Sequence, residues 1–314
     1  MNSVLVLLST YNGECFLRQQ LESIFAQKNV CYHILVRDDG STDNTKLILK
    51  EYKEQYGKMT LLFEENIGAI RSFYALMQYA VTKMPKYDFY AFCDQDDVWF
   101  EEKLNIATCC LNLMPNMPKL FYSDVKKVDS NLISLNESSC IKTINNIYAC
   151  IISNHILGCT QVFDYTLLEK ASMIANNADY FLKEFKTLPY HDSWIARVAY
   201  AIGANVFYYK EPLIYYRQHA NNVVGSERSW KNLMFKRIKR YIKGKSRDKS
   251  TYCMYLLKLY SKDMPKEQLL FIQTCAECNE SVWKKIKLIF NRNIYQYGFF
   301  ENFCLMMMIF FGKF

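Results

Sequence analysis

The sequence predicts an α/β fold, a mainly parallel central sheet flanked by helices, with a helical C-terminal extension. In the first hundred residues, short apolar runs alternate with single amphipathic stretches. That is the pattern of strands buried on both faces and joined by right-handed helical crossovers. Polar, turn-rich clusters follow three of these runs: Ser9–Gly13, Arg37–Thr45 and Asp94–Asp97. In a parallel sheet such clusters fall along one edge, the edge where open α/β sheets hold their ligands.

Ser3–Leu8 reads as the first strand, and Leu17, Leu21, Ile24 and Phe25 mark one face of the helix after it. His33–Val36 is the second strand. Thr42-Asp43 is expected to cap a helix carrying Ile48, Tyr52 and Tyr56. Met59–Phe63 is the third strand, and Asn66-Ile67-Gly68 turns into a helix with Ile70, Phe73 and Met77 inward. Asp88–Cys93 is the fourth strand. Lys119–Val125 and Ile156–Phe163 read as further strands. Asp192 opens a helix with Trp194, Ile195, Val198 and Ala199, which Gly203 stops. Val206–Tyr209 and Leu213–Tyr216 read as two strands. From about Asn221 the pattern becomes basic, helical and strandless, dividing the chain into an α/β domain over residues 1–220 and an extension over 221–314.

Half of the 314 residues are hydrophobic, enough for a sizeable core. The formal charge of +8 is local: Lys231–Lys249 holds nine Lys and Arg against Asp248 alone, and the rest balances to zero. This points to a local anionic partner. The cysteines show no framework spacing, and the apolar run Val4–Leu8 is too short and lacks the basic flank of a signal peptide, so reduced, cytosolic thiols are expected. Cys275-Ala276-Glu277-Cys278 is a lone CxxC without a second pair at zinc spacing. No run reaches the roughly twenty apolar residues of a membrane span; Phe303–Phe311 comes nearest.

Cys93–Trp99, CDQDDVW, is the most informative segment. Asp94, Asp96 and Asp97 follow the apolar run Phe89–Phe92 directly. Carboxylates this close repel, and they are tolerated where a cation or a polyhydroxyl ligand sits between them. Neither GxGxxG nor GxxxxGK[ST] occurs. The acidic edge, with Asp38, Asp39 and Asp43 beside the trio, suits a divalent ion carrying a diphosphate, and its acids can accept from sugar hydroxyls and from a pyrimidine imide N–H.

These residues carry a resemblance. STYNG, DDGSTDNT, ENIG and CDQDDVW, in this order at strand ends, resemble the inverting family-2 glycosyltransferases of the GT-A fold. LGCT, HDSW and YYRQHANNVVG resemble the bacterial branch that builds surface polysaccharides, including rhamnosyltransferases; the likeness spans roughly residues 3 to 225. It implies a nucleotide-diphosphate sugar donor, UDP- or dTDP-linked, and a Mg2+ or Mn2+ ion. It implies that Thr10, Tyr11 and Asp39 line the base and ribose, with Arg71 facing the nucleotide. Asp94-Gln95-Asp96 would be the DxD motif, Asp94 near the ribose and Asp96 on the metal, with His219 a further metal ligand. Asp192 would be the general base. The QxxRW motif of processive relatives does not occur, which implies transfer of one sugar at a time. The acceptor implied is a polyprenyl-linked glycan at the inner face of the plasma membrane, with no nucleic acid as partner.

The residues also admit other readings. Asp39 can be an Asx-turn residue, Asp192 a helix N-cap and His219 a solvated loop histidine. DQDDV matches the nucleophile loop of haloacid-dehalogenase-like phosphatases, with Asp94 phosphorylated, although that fold places the loop after its first strand. A nucleotide-sugar-binding scaffold without turnover is a third reading. Met234, Ile238, Tyr241 and Ile242 fall on one helical face beside Lys236, Arg237, Lys239 and Arg240, a pattern suited to an anionic membrane surface.

Overall fold

The computed structural model describes residues 1–115, 118–135, 144–154, 156–185, 188–219, 249–295 and 298–314. The basic stretch 230–248, with its expected amphipathic helix, and the 220/221 boundary lie outside the described residues. Strands β1 (Ser3–Thr10), β2 (Cys31–Asp39), β3 (Met59–Glu64) and β4 (Phe89–Cys93) alternate with helices α1 (Leu17–Phe25), α2 (Thr45–Tyr56) and α3 (Ala69–Lys83). These four strands pair in parallel in the order β3-β2-β1-β4. Beyond them come β5 (Val98–Trp99), α4 (Lys103–Leu113), β6 (Lys119–Val128), α5 (Ile147–Ile152), β7 (Val162–Asp164), α6 (Tyr165–Ser172), α7 (Ala178–Phe185), α8 (His191–Ala201) and β8 (Asn205–Arg217). The full sheet runs β3-β2-β1-β4-β7-β6-β8-β5. β7 is antiparallel to both β4 and β6, and β5 is antiparallel to β8.

Period-two alternation divides the core. Leu5 and Leu7 of β1, Leu35 of β2, and Tyr90 and Phe92 of β4 face one side, with Phe73 and Met77 of α3, Leu167 of α6 and Trp194 of α8. Val4, Val6 and Leu8, Ile34 and Val36, and Ala91 and Cys93 face the other, with Leu21 of α1, Ile48 of α2 and Leu104 of α4. The result is three layers, helix on sheet on helix. Continuous apolar strands are required because both faces are covered.

The sequence expectation needs four corrections. Within Ile156–Phe163, Gly158–Thr160 is a 3-10 turn and β7 is confined to Val162–Asp164. The two expected strands after Gly203 are one, β8, whose pairing with β6 slips near Asp124 and Pro212; proline cannot donate to the ladder. Helix α2 starts at Thr45 with Asn44 in the N-cap position, and the Asp43 carboxylate before it accepts from the amides of Thr45 and Glu14. Helix α8 starts one residue before Asp192, with Tyr190 in the N-cap position. Gly203 does end α8: its φ of +72° is a left-handed conformation, and Ala204 N donates back to Ala199 O at 2.8 Å.

Four more helices follow, α9 (Lys249–Tyr260), α10 (Lys266–Ala276), α11 (Val282–Ile289) and α12 (Phe299–Phe310). They share one hydrophobic core with the sheet. Tyr255 and Tyr260 of α9 lie 6.2 and 6.1 Å from the Trp194 ring, and Ile272, Leu288 and Ile309 close the same cluster. Cys275 and Cys278 of the CxxC are buried in it beside Cys253. Burial raises the Cys275 thiol well above its usual range, so it acts as an apolar filler. No helix among the described residues is long and apolar enough to cross a membrane.

Trp194→Ala should therefore cost about 3–5 kcal/mol of stability and lower the melting temperature of α9 together with that of the sheet. Calorimetry should show one shifted transition. A separate early transition for the C-terminal helices would show that the core is not shared.

Candidate active site

The parallel register brings the polar clusters together. Thr10 pairs with Asp38, and Leu8 with both Val36 and Cys93, so the loops after β1, β2 and β4 leave the sheet side by side. Gln95 joins two of them, accepting from Tyr11 N at 2.8 Å and donating to Tyr11 O at 3.1 Å. A Cβ at Gly13 would stand 2.4 Å from Gln95 Oε1 and displace this clamp. Thr10 is buried and donates to Asp38 Oδ2 at 3.1 Å, while Ser41 N donates to Asp38 Oδ1 at 3.0 Å. Tyr11 is exposed at the mouth.

Asp39 is 2% exposed and its carboxylate is well supplied. Arg37 Nη1 donates to Oδ1 at 2.5 Å, Ile67 N to Oδ1 at 2.8 Å and Gly68 N to Oδ2 at 2.9 Å. Arg37, also buried, donates to Glu64, the Glu65 carbonyl and Ser72 as well. The pair thus fixes the ENIG turn against β2. Arg71, one turn into α3, is exposed.

The acidic loop after β4 is held from below by two buried cations. Arg217, at the end of β8, donates through Nε to Asp96 O at 2.7 Å, through Nη2 to Gln19 Oε1 at 2.6 Å, and through Nη1 to Ser130 O. Its backbone N donates to Asp97 Oδ1 at 3.1 Å, and its guanidinium lies 4.4 Å from the Phe16 ring centre. Lys103 is 0% exposed; its Nζ sits over the Trp99 ring and donates to Cys159 O at 2.8 Å. Burial lowers Lys103 to about 7, and the Asp97 and Asp94 carboxylates oppose that shift. Neither residue stood out in the sequence. A lysine in an amphipathic helix and an arginine at a strand end read as surface residues, and only the packing shows them inside.

The carboxylates respond to this enclosure. Burial, then the charges of Asp97, Asp96 and Asp192, raise Asp94 well above the usual carboxylate range. Burial and the Asp96 charge raise Asp97 to about 7. Asp97 Oδ2 is buried with no hydrogen-bond partner among the described residues. Asp94, Asp97 and Cys159 present ligand atoms within 4.8 Å of one another. Across the loop, His219 Nε2 lies 2.8 Å from Asp96 Oδ2, its ring 4.9 Å from Phe16.

Asp192 approaches from the other side of the sheet edge. Gln161 Nε2 donates to its carbonyl at 3.0 Å, and Ser193 N to its Oδ1 at 2.5 Å. Burial raises its carboxyl above the ordinary range. Next to it His191 stacks on Phe73 at 3.7 Å and meets Phe92 edge-on at 4.7 Å. Gly158 makes room for both: a Cβ there would come within 3.0 Å of His191 Nε2 and 3.1 Å of Asp192 Cβ. This gives the LGCT and HDSW segments one physical basis.

A divalent ion fits this donor set. Two neighbouring ligands on an octahedral ion with bonds of 2.0–2.1 Å stand about 3 Å apart, close to the Asp96–His219 separation. The orphaned oxygen of Asp97 belongs to a separate group, Asp94, Asp97 and Cys159, where a cation would offset the repulsion between the two carboxylates.

Solved structures show the fold. The S. aureus TarS 1-349 structure in complex with UDP-GlcNAc superposes with a TM-score of 0.54 at 16% identity, covering 99% of this chain and 91% of that one. The fold is therefore that of the GT-A glycosyltransferases. The "Glycosyl transferase family 2" profile matches residues 5–107. The dTDP-rhamnosyl transferase RfbG of Shigella flexneri is 30% identical over 233 residues, 71% of this chain and 75% of that protein. The UDP-Glc:alpha-D-GlcNAc-diphosphoundecaprenol beta-1,3-glucosyltransferase WfgD of Escherichia coli is 27% identical over 181 residues, 57% of this chain and 67% of that protein. The chain belongs to glycosyltransferase family 2 and is a glycosyltransferase. That leaves the phosphatase reading of DQDDV without support.

Burial lowers His191 from 6.5 to about 3, which gives a pH prediction. Above pH 6.5 both folded and unfolded imidazoles are neutral. As pH falls towards 3, the unfolded chain takes up a proton that the folded chain refuses, so stability declines across that window. His191→Phe keeps the stack and removes this term. Denaturant melts at pH 7 and pH 4 should show a smaller loss in the variant than in the wild type; equal losses would mean that His191 protonates freely in the fold.

Proposed function

We propose that the enzyme moves a single sugar, with inversion, from a nucleotide-diphosphate sugar to a hydroxyl of a growing, lipid-linked bacterial surface glycan. The donor is UDP- or dTDP-linked, with dTDP-rhamnose the first candidate. One observation carries the reading: Asp192 lies against Gly158, and the next residue, Cys159, has its thiol within 4.8 Å of the Asp94 and Asp97 carboxylates. RfbG is named for a dTDP-rhamnosyl donor, WfgD for an acceptor on diphosphoundecaprenol, and the TarS structure holds UDP-GlcNAc; each supports one part.

In this reading Asp96 and His219 hold a Mg2+ or Mn2+ ion, which when bound stabilises negative charge on the departing diphosphate as a Lewis acid. Tyr11 lines the mouth of the nucleotide pocket, and Gln95 fixes its backbone. Thr10 acts through Asp38, and Asp39 shapes the base pocket by holding the Ile67 and Gly68 amides. Arg71, at the start of α3, reaches towards the nucleotide. Asp94 accepts from a ribose or sugar hydroxyl. Asp192 takes the proton of the attacking acceptor hydroxyl, a contribution of about 10²–10⁴-fold. Its raised affinity for a proton suits that task. A single displacement on the face opposite the leaving group inverts the anomeric centre and needs no covalent nucleophile.

Two substitutions test the assignment. Asp192→Asn should lower kcat by at least 100-fold and leave the donor dissociation constant within about threefold. Asp96→Asn should abolish transfer and the metal-dependent part of donor binding while preserving the melting temperature. Calorimetric titration with UDP- and dTDP-sugars, with and without Mn2+, reads binding; single-turnover transfer reads chemistry. Equal loss of donor affinity in Asp192→Asn would move that residue into the nucleotide pocket. Tight donor binding by the wild type without turnover on any polyprenyl-linked acceptor would favour the binding-scaffold reading.

A further inference from the structure

Helices α11 and α12 turn apolar side chains outward. On α11, Val282, Trp283 and Ile286, continued by Phe290 just beyond the helix, are exposed at helical spacing, with Trp283 and Phe290 at 79% and 78%. The opposite face buries Leu288. On α12, Phe299, Phe303, Met307 and Phe310 are exposed at spacings of four, four and three, with Phe311 after them, while Leu305 and Ile309 on the opposite face enter the core. The helices pack on each other, and Lys285 Nζ of α11 donates to Phe310 O of α12 at 3.2 Å. Soluble surfaces rarely present apolar stripes of this kind. Their setting is basic: Lys285, Lys287, Arg292 and Lys313 stand against Glu301 between Ser281 and Phe314, while Lys284 is paired with Glu277 and Glu280.

We infer that the outward faces of α11 and α12 form a docking surface for an anionic lipid bilayer. Trp and Phe at an interface bury their rings at the headgroup level, and neighbouring Lys and Arg reach back to lipid phosphates. Twelve residues of α12 extend about 18 Å, short of the roughly 30 Å hydrocarbon core, so the helices lie on the membrane rather than cross it. A second copy of the chain would meet the same positive charge on itself, whereas an anionic surface complements it. The inference rests on the proposed function only for its purpose, bringing a polyprenyl-linked acceptor to the sheet edge. Binding is measured without turnover.

The test is flotation of the full chain with phosphatidylglycerol/phosphatidylcholine vesicles, in low salt and in about 0.5 M salt, where the Debye length falls to a few ångströms. The probe variant replaces Trp283, Phe290 and Phe303 with Ser. All three are exposed, so the melting temperature should hold. Expected are wild-type binding that weakens in salt without vanishing, and a variant bound at least tenfold more weakly in high salt. Release of nucleoside diphosphate from the donor without vesicles should be equal in both. A variant that floats like the wild type in high salt overturns the inference, as does a wild type that ignores vesicles. A wild-type dimer by sedimentation that the substitutions dissociate, without vesicle binding, assigns the stripes to a second copy. If the wild type floats as expected but transfers no sugar, the proposed function fails and the surface stands.

Discussion

The acidic loop after β4 depends on Arg217. Three carboxylates at one strand end repel, and a loop that carried them freely would splay into solvent. Arg217 fastens it through the Asp96 carbonyl and the Asp97 carboxylate, and ties the same guanidinium to Gln19 of α1 and the Ser130 carbonyl. Strand end, first helix and the turn after β6 thereby meet at one buried cation. Buried ion pairs contribute little net stability against apolar packing; what this one supplies is geometry. It leaves Asp96 facing His219, two residues past Arg217 on the same segment.

Arg37 plays the matching part at the other end of the sheet. It is buried and joins Asp39, Glu64, Glu65 and Ser72, so β2, β3 and the start of α3 keep one arrangement. Between these arginines the Gln95–Tyr11 clamp spans the β1 and β4 loops. Planar guanidinium donors suit such junctions, because one group satisfies several carbonyls in fixed directions; an ammonium cannot hold them the same way. Lys103, which burial brings to about 7, makes fewer contacts, with one carbonyl and the Trp99 face.

The helical layer under α8 links Asp192 to the C-terminal part of the chain. Asp192 sits in the first turn of α8, and Trp194 two residues on packs against Tyr255 and Tyr260 of α9. The same hydrophobic cluster continues to α11 and α12. The outer faces of those helices are thereby joined through one core to the helix that carries Asp192.

Much of this was legible in the sequence, for local reasons. Continuous apolar runs such as Val4–Leu8 and Phe89–Phe92 read as strands because burial on both faces leaves no other composition. The loop motifs fell on one edge because parallel crossovers permit nothing else. Tertiary structure decided the rest. Segment 156–163 looked like one strand, but Gly158–Thr160 is a 3-10 turn, and the glycine there is set by His191 and Asp192, more than thirty residues distant. Asp39 looked like an open ligand and proved engaged by Arg37 and two amides of a remote turn. Lys103 and Arg217 received no role from the sequence, since sequence period gives the face of an element and not what covers it. The motif order and the buried strands were thus fixed by local chemistry. Which charges are buried, and which oxygen lacks a partner, depended on contacts between residues far apart in the chain.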